Sequence, residues 1–513
     1  MNRNKNHIVL VSLIILIALF VRLWGITYDL PFIYHPDEPF FISIALTMLK
    51  TGDLNPHNFL NPALVIYINS LAYIPYYLLG KIFGVFHARS DLLPLIPLPS
   101  AMGVTLSPMP TIILLGRIIT VFFGVGTVGL TFLTGKQLTG KSAVGLLASL
   151  MVAISTVNVV HSRFVTPDTL VVFFVAAAFL AIVMVYQQGR LRYYLIAGLC
   201  IGFAASSKYY GGIMVLSLLF AHFLRYGKSG LKERSIYLAL FLCGLGFLVT
   251  TPYALFDLST FLTDLQKAGQ TYATGHAGME GNTLSWYLTF MWQTSGLISI
   301  LAILEILRGF YCRSKEIILL SFFPVVYFVF ISRFIVRNDR TFLTLTPFLL
   351  LLAASFLVSL INKAGQFQSL VLRRLSLLAT ASFSIAVLIL PVLKTTENLI
   401  QLSIVDSRES ARVWINDNLP PGAKIAIESY SPFADSSLFT VQGFARIIDH
   451  QPDWYVENGF DYLVFGQGMY GRFYLEPERY STEVSQYSSF FNQYTLLKRF
   501  IDGNYEVLIY KIK

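Results

Sequence analysis

Charge is what this sequence is short of. Asp, Glu, Lys and Arg make up 13% of its 513 residues, about half the fraction of an ordinary soluble chain. Cysteine is scarcer still: Cys200, Cys243 and Cys312 lie in or beside apolar stretches and share no metal-ligand spacing. That excludes a disulfide scaffold and a cysteine-built zinc site. No internal repeat and no low-complexity tract is visible, which excludes a solenoid or a disordered linker protein. What fills the chain instead is apolar: 55% of residues are hydrophobic, 42 of them Phe. Runs such as "IVLVSLIILIALF" (8–20) and "TLVVFFVAAAFLAIVMVY" (169–186) are, with their flanks, long enough to cross about 30 Å of hydrocarbon.

Eleven apolar segments stand out, near 8–25, 112–135, 142–160, 168–187, 193–206, 210–225, 235–251, 286–307, 316–332, 341–361 and 375–393. The first follows "MNRNK" and runs on into "RLWGITYDL" with no small-x-small cleavage site, so it reads as an uncleaved anchor. The formal charge of +10 would suit nucleic acid, but its placement argues otherwise. Basic clusters at 2–5, 135–141, 187–192, 225–234, 308–315 and 362–374 all fall on one side if the N-terminus is cytoplasmic. The expected fold is therefore a polytopic α-helical membrane protein of about eleven spans in the inner or plasma membrane, with its C-terminus outside. The stretch 61–81 is long enough to span, yet a crossing there would invert every later loop. It reads as re-entrant or interfacial. The expected units are a transmembrane part, 1–394, with an outer loop 26–111 bearing two juxtamembrane helices, and a small extracytoplasmic α/β domain, 395–513. In the latter, 407–429 reads as a helix then a strand, with further strands at 461–466 and 505–512.

Against this apolar background the polar residues on the outer side are conspicuous. "YHPDEPFF" (34–41) sets Asp37 beside Glu38 at the outer end of the first span. Two adjacent carboxylates repel, so one should titrate high or be paired with a cation. An acid ahead of Pro39 and an apolar helix pattern also suits a helix cap. "HSRFVTPDTL" (161–170) brings His161, Arg163 and Asp168 to the same side, the last again in a capping position. "ISRFIVRNDR" (331–340) places Arg333, Arg337 and Arg340 where basic residues are otherwise scarce. Snorkelling is one reading; a bound anion is the other. Lys208 is also outward and within reach of a phosphate, and His276 sits in a polar Gly-rich loop. Carboxylates that take a hydroxyl proton, beside guanidinium groups that hold a leaving phosphate, would suit a lipid-phosphate donor. His161 and His276 are candidates for acceptor contact or for ligating a divalent metal with Asp37, Glu38 and Asp168. The same groups would serve equally as bare acid and base, and no spacing decides.

At this point a family resemblance enters. "HPDEPFFISIALTMLKTGDLNPHNFLNPALVIYINS" (35–70) resembles the first outer loop of the GT-C glycosyltransferases. The resemblance is to the protein O-mannosyltransferases and the aminoarabinose transferases of lipid A. "RFVTPDTL" (163–170) resembles their second outer-loop signature, and "GRIITVFFGVGTVGLTFLTGKQLTG" (116–140) their second span. It covers roughly 1–350; 395–513 matches nothing that names an acceptor. It implies an inverting transfer of a hexose or pentose from a polyprenyl-phosphate donor to a hydroxyl of a protein, lipid or glycan. Asp37 would be the general base, Glu38 and Asp168 supporting groups, with Arg337 or Arg340 on the phosphate alongside Lys208 and Arg163. The rival class is a lipid or sugar transporter or flippase, which predicts inverted repeats and charges near the bilayer midplane.

Overall fold

A computed structural model of the chain describes residues 2–98, 103–275, 277–503 and 505–512. Each of the eleven apolar segments is helical, because a chain in lipid has to satisfy its backbone internally. Among the described residues, five helices are long and apolar enough to cross a membrane alone: Asn6–Leu23, Pro110–Thr139, Pro167–Gln188, Thr346–Ala364 and Leu370–Gln401. Two bent pairs raise the count to seven by length and composition, Tyr209–Lys232 with Arg234–Thr250 and Thr283–Ser295 with Leu297–Tyr311. The reading of 286–307 as one continuous segment is corrected here. Its two helices meet at 113° across Gly296, whose φ of 51° and ψ of −126° suit only glycine. The segment 142–160 is likewise broken, into Ser142–Ala153 and Thr156–His161.

The bundle core is made of small and branched side chains from most of these helices. Leu191–Ser207 and Arg234–Thr250 approach closely because Gly202 faces Gly246. A Cβ on Gly202 would sit 2.8 Å from the Gly246 Cα, the close small-residue contact typical of membrane helices.

Between the first two long helices, Glu38–Thr51 and Leu64–Ile82 pack on each other and on the start of Pro110–Thr139. Leu64–Ile82 is not among the helices apolar enough to span alone. The ends of the loop are tied by a small antiparallel sheet in which Thr105–Leu106 pairs with Phe32–Ile33 on one side and Ile96–Pro97 on the other.

At the C-terminus, Leu370–Gln401 carries the helix past residue 394, and an α/β unit follows from Ser407. Its five strands lie in the order Thr440–Phe444, Lys424–Glu428, Tyr462–Gly466, Glu506–Lys511, Thr495–Ile501, the first three parallel and the last two antiparallel. The unit is fastened to the first loop. Tyr28 donates to Asp406 (2.6 Å), and the Arg408 guanidinium lies over the rings of Tyr34 (4.2 Å) and Tyr505 (4.5 Å).

Candidate active site

The turn 35–38 lies between the first long helix and the helix Glu38–Thr51. Asp37 occupies the N-cap position of Glu38–Thr51 but makes no side-chain cap bond. Its carboxylate is paired with Arg340 instead. Capping therefore does not account for Asp37. Glu38 points the other way and is fully buried. Arg117 donates to it from Nε (2.9 Å) and Nη2 (2.7 Å), and the Val165 N–H adds a third bond at 3.0 Å. The adjacent acids are thus each neutralised by a different arginine, as mutual repulsion requires.

Asp37 and Arg340 line a cavity of about 450 Å³ together with Pro36, Asn61, Asp168 and Lys208. Asp168, buried in the first turn of Pro167–Gln188, holds Lys208 at 2.5 Å, and its second oxygen has no hydrogen-bond partner. Lys208, Asn61, Leu60 and Tyr272 also line an adjoining cavity of about 180 Å³ whose other walls include Tyr209, Leu265, Phe330 and Phe334. The two cavities thus share walls, and the one bearing Arg340 and Asp37 is the less apolar.

The other expected site residues are placed differently. His161 Nε2 lies 3.0 Å from Asp339 Oδ2, one residue from Arg340, so it steadies the segment that carries the arginine. Arg337 is paired with Glu476 of the C-terminal unit, and its N–H donates to the Met279 carbonyl at 2.8 Å. Arg163 donates to Asn398 and to the Val21 carbonyl, both at 2.6 Å. Neither arginine lines the cavity, so the expectation that they meet a donor phosphate finds no support in their placement. His276 lies outside the described residues. Among the described residues no three His, Cys, Asp or Glu side chains converge as a metal site. Asp37, Glu38, Asp168 and His161 are each engaged by a separate partner and do not form a common ligand set.

Sequence reasoning missed Arg117 as the partner of Glu38, although a lone charge inside an apolar helix is a signal in its own right. It also missed His35, whose Nδ1 accepts the Asp37 N–H at 3.2 Å, and Asp339.

Comparison with known proteins bears on the fold and on the class of relatives. Residues 113–254 match the family model described as dolichyl-phosphate-mannose-protein mannosyltransferase. Dolichyl-phosphate-mannose–protein mannosyltransferase 1 of Candida albicans is 27% identical over 209 residues, 38% of this chain. The match takes in 23% of that protein, so the chain spans less than a quarter of the curated relative it matches. Two solved structures share the fold. The archaeal oligosaccharyltransferase AglB from Archaeoglobus fulgidus, in complex with an inhibitory peptide and a dolichol-phosphate, aligns over 90% of this chain and 69% of its own at 12% identity, with a TM-score of 0.54. ArnT from Cupriavidus metallidurans, bound to undecaprenyl phosphate, aligns over 97% of both chains at 14% identity, with a TM-score of 0.55. The resemblance to GT-C glycosyltransferases read from the sequence is borne out, and the chain is a multi-pass membrane protein of that fold.

Proposed function

We propose that this protein transfers a sugar, with inversion, from a polyprenyl-phosphate-linked donor to an acceptor hydroxyl at the outer face of the membrane. The observation that carries the reading is the juxtaposition of Asp37, Arg340 and Lys208 in one cavity that shares walls with a more apolar one. An anionic head group suits the first and an isoprenoid chain the second. The two relatives of like fold were solved with dolichol-phosphate and undecaprenyl phosphate, which supports a lipid-phosphate donor. The placement of the basic clusters supports an outward-facing site.

In this reading the acceptor oxygen attacks the sugar C1 as the C1–O bond to phosphate breaks. Asp37 takes the hydroxyl proton, and the phosphate leaves with its charge held by Arg340 and Lys208 through charge-assisted hydrogen bonds. A single displacement inverts the anomeric centre. Asp168 keeps Lys208 in place, and Glu38 fixes the turn through Arg117. Arg163 and Arg337 lie outside this chemistry. The transporter alternative is not favoured, since the family model and the shared fold are those of transferases.

The test is donor consumption by the purified full chain against a panel of polyprenyl-phosphate sugars, in wild type and Asp37→Asn. A general base contributes roughly two to four orders of magnitude, so Asp37→Asn should lose turnover to that extent while retaining its fold and donor binding. Near-normal turnover in that variant, with chemistry rate-limiting, would remove the base from the mechanism.

A further inference from the structure

The Asp37 carboxylate and Arg340 are paired at rest, yet on the proposed reading Arg340 turns to the donor phosphate during transfer. Something else then has to hold the base. Its helix holds the Asp37 backbone through the carbonyl, as at any N-cap position, and gives the side chain no cap bond. Pro36 and Pro39 restrict the backbone on either side but donate nothing to it. The Asp37 N–H has a tie of its own, donating to His35 Nδ1 at 3.2 Å.

The imidazole is itself fixed. Its ring lies on Phe164 with centroids 4.3 Å apart. The Arg117 guanidinium stands 5.9 Å from the same Phe164 ring and is the group that grips Glu38. The Val165 N–H completes the hold on Glu38. Residues 35 and 38 are therefore registered against Phe164 and Val165, through one tilted ring contact, one cation and one backbone N–H. Nδ1 can accept only if the ring is neutral with its proton on Nε2. Burial pushes the His35 pKa down to about 4, with Glu38, Arg340, His161 and Asp168 as its charged neighbours, so the ring is neutral at pH 7.

We propose that His35 is a positioning residue that holds the Asp37 backbone while Arg340 is engaged elsewhere. The proposal rests on Asp37 being the base. Displacing a reacting group by about 1 Å costs up to about a hundredfold in rate, so loss of one backbone tether should be felt in turnover more than in binding.

The experiment compares His35→Phe, His35→Asn and Asp37→Asn in the purified full chain with dolichyl-phosphate mannose as donor. His35→Phe keeps a ring against Phe164 and removes the acceptor. It should lower kcat about tenfold or more while donor KM stays within about twofold. His35→Asn offers a side-chain oxygen that reaches the N–H two residues on, and should return kcat to within about threefold of wild type. Wild-type kcat in His35→Phe overturns the proposal, as does His35→Asn being as slow as His35→Phe. If His35→Phe does not fold, His35→Gln takes its place: fast Asn with slow Gln supports the role, and equal rates overturn it. Asp37→Asn separates the two ideas. Inactive Asp37→Asn beside normal His35→Phe sinks the positioning role alone, whereas active Asp37→Asn sinks the base and the positioning role together.

Discussion

Replacing Glu38 with alanine separates the two members of the acid pair. The Glu38 carboxylate is 0% exposed and the Arg117 side chain 4%, with the two bonds from Arg117 at 2.9 and 2.7 Å. Arg117 Nη1 also donates to the Ile26 and Tyr28 carbonyls, at 2.8 and 3.0 Å, so the guanidinium ties the loop to the bundle and cannot swing into water. Alanine leaves that cation buried without its counter-ion, which costs about 3–5 kcal/mol. Gln keeps an acceptor but not the charge and should cost about 1–3 kcal/mol. Removing both charges, as Glu38→Met with Arg117→Leu, should recover much of the alanine loss, because a buried pair gains little over packed apolar side chains. The assay is thermal denaturation of the detergent-solubilised chain, with turnover per folded molecule measured well below the transition. The expected order of stability is wild type, Gln, Ala, with the double variant above Ala. A Glu38→Ala protein that melts with wild type would refute the structural role. So would a Glu38→Gln protein of undiminished stability and no turnover, which would make Glu38 reactive.

Arg340→Lys keeps the charge but loses the planar fork, and should raise donor KM about tenfold; an unchanged KM would take Arg340 off the phosphate. Arg337→Ala should leave donor KM alone and instead speed proteolysis around 277–281 and 467–480, where its pairing with Glu476 joins the two segments. In the C-terminal unit, burial pushes the Glu428 carboxyl from 4.5 up to about 8. The folded chain then holds this proton more tightly than the unfolded one, so the contribution is full below about pH 4.5 and fades as pH rises to about 8. Glu428→Gln should therefore gain thermal stability over wild type at pH 8.5 and much less at pH 5; an equal difference at both would contradict the sign.

Hydrophobicity located the apolar helices, because lipid leaves the backbone no alternative to helix, but not the expected eleven spans: five to seven qualify among the described residues. It did not show the bend at Gly296, since a glycine in an apolar run is as compatible with a straight helix as with a break. In the C-terminal unit the legible strands are those with buried residues, Lys424–Glu428, Tyr462–Gly466 and Glu506–Lys511. The two missed, Thr440–Phe444 and Thr495–Ile501, are the edges of the sheet and mostly exposed. Edge strands carry little of the apolar pattern that sequence reading depends on. In the site, the residue types were legible, but their pairing was not. Nothing in the order of residues shows that Arg117 rather than Arg340 faces Glu38, or that Arg163 turns back toward Val21.

That pairing has a consequence for how the proposed reaction would be gated. Both cations lining the cavity are already occupied, Arg340 by Asp37 and Lys208 by Asp168. An arriving phosphate has to compete with two carboxylates, and Arg340 is the easier to win. The Asp37–Arg340 pair is part-exposed, at 39% and 29%, whereas Asp168 and Lys208 are 1% and 12% exposed, and exposed pairs are the weaker ones. On the proposed reading, capture of Arg340 by the donor leaves the Asp37 carboxylate without its counter-ion. Asp37 would then be released to act as a base only when the donor has drawn Arg340 away, and in the empty site it would stay paired.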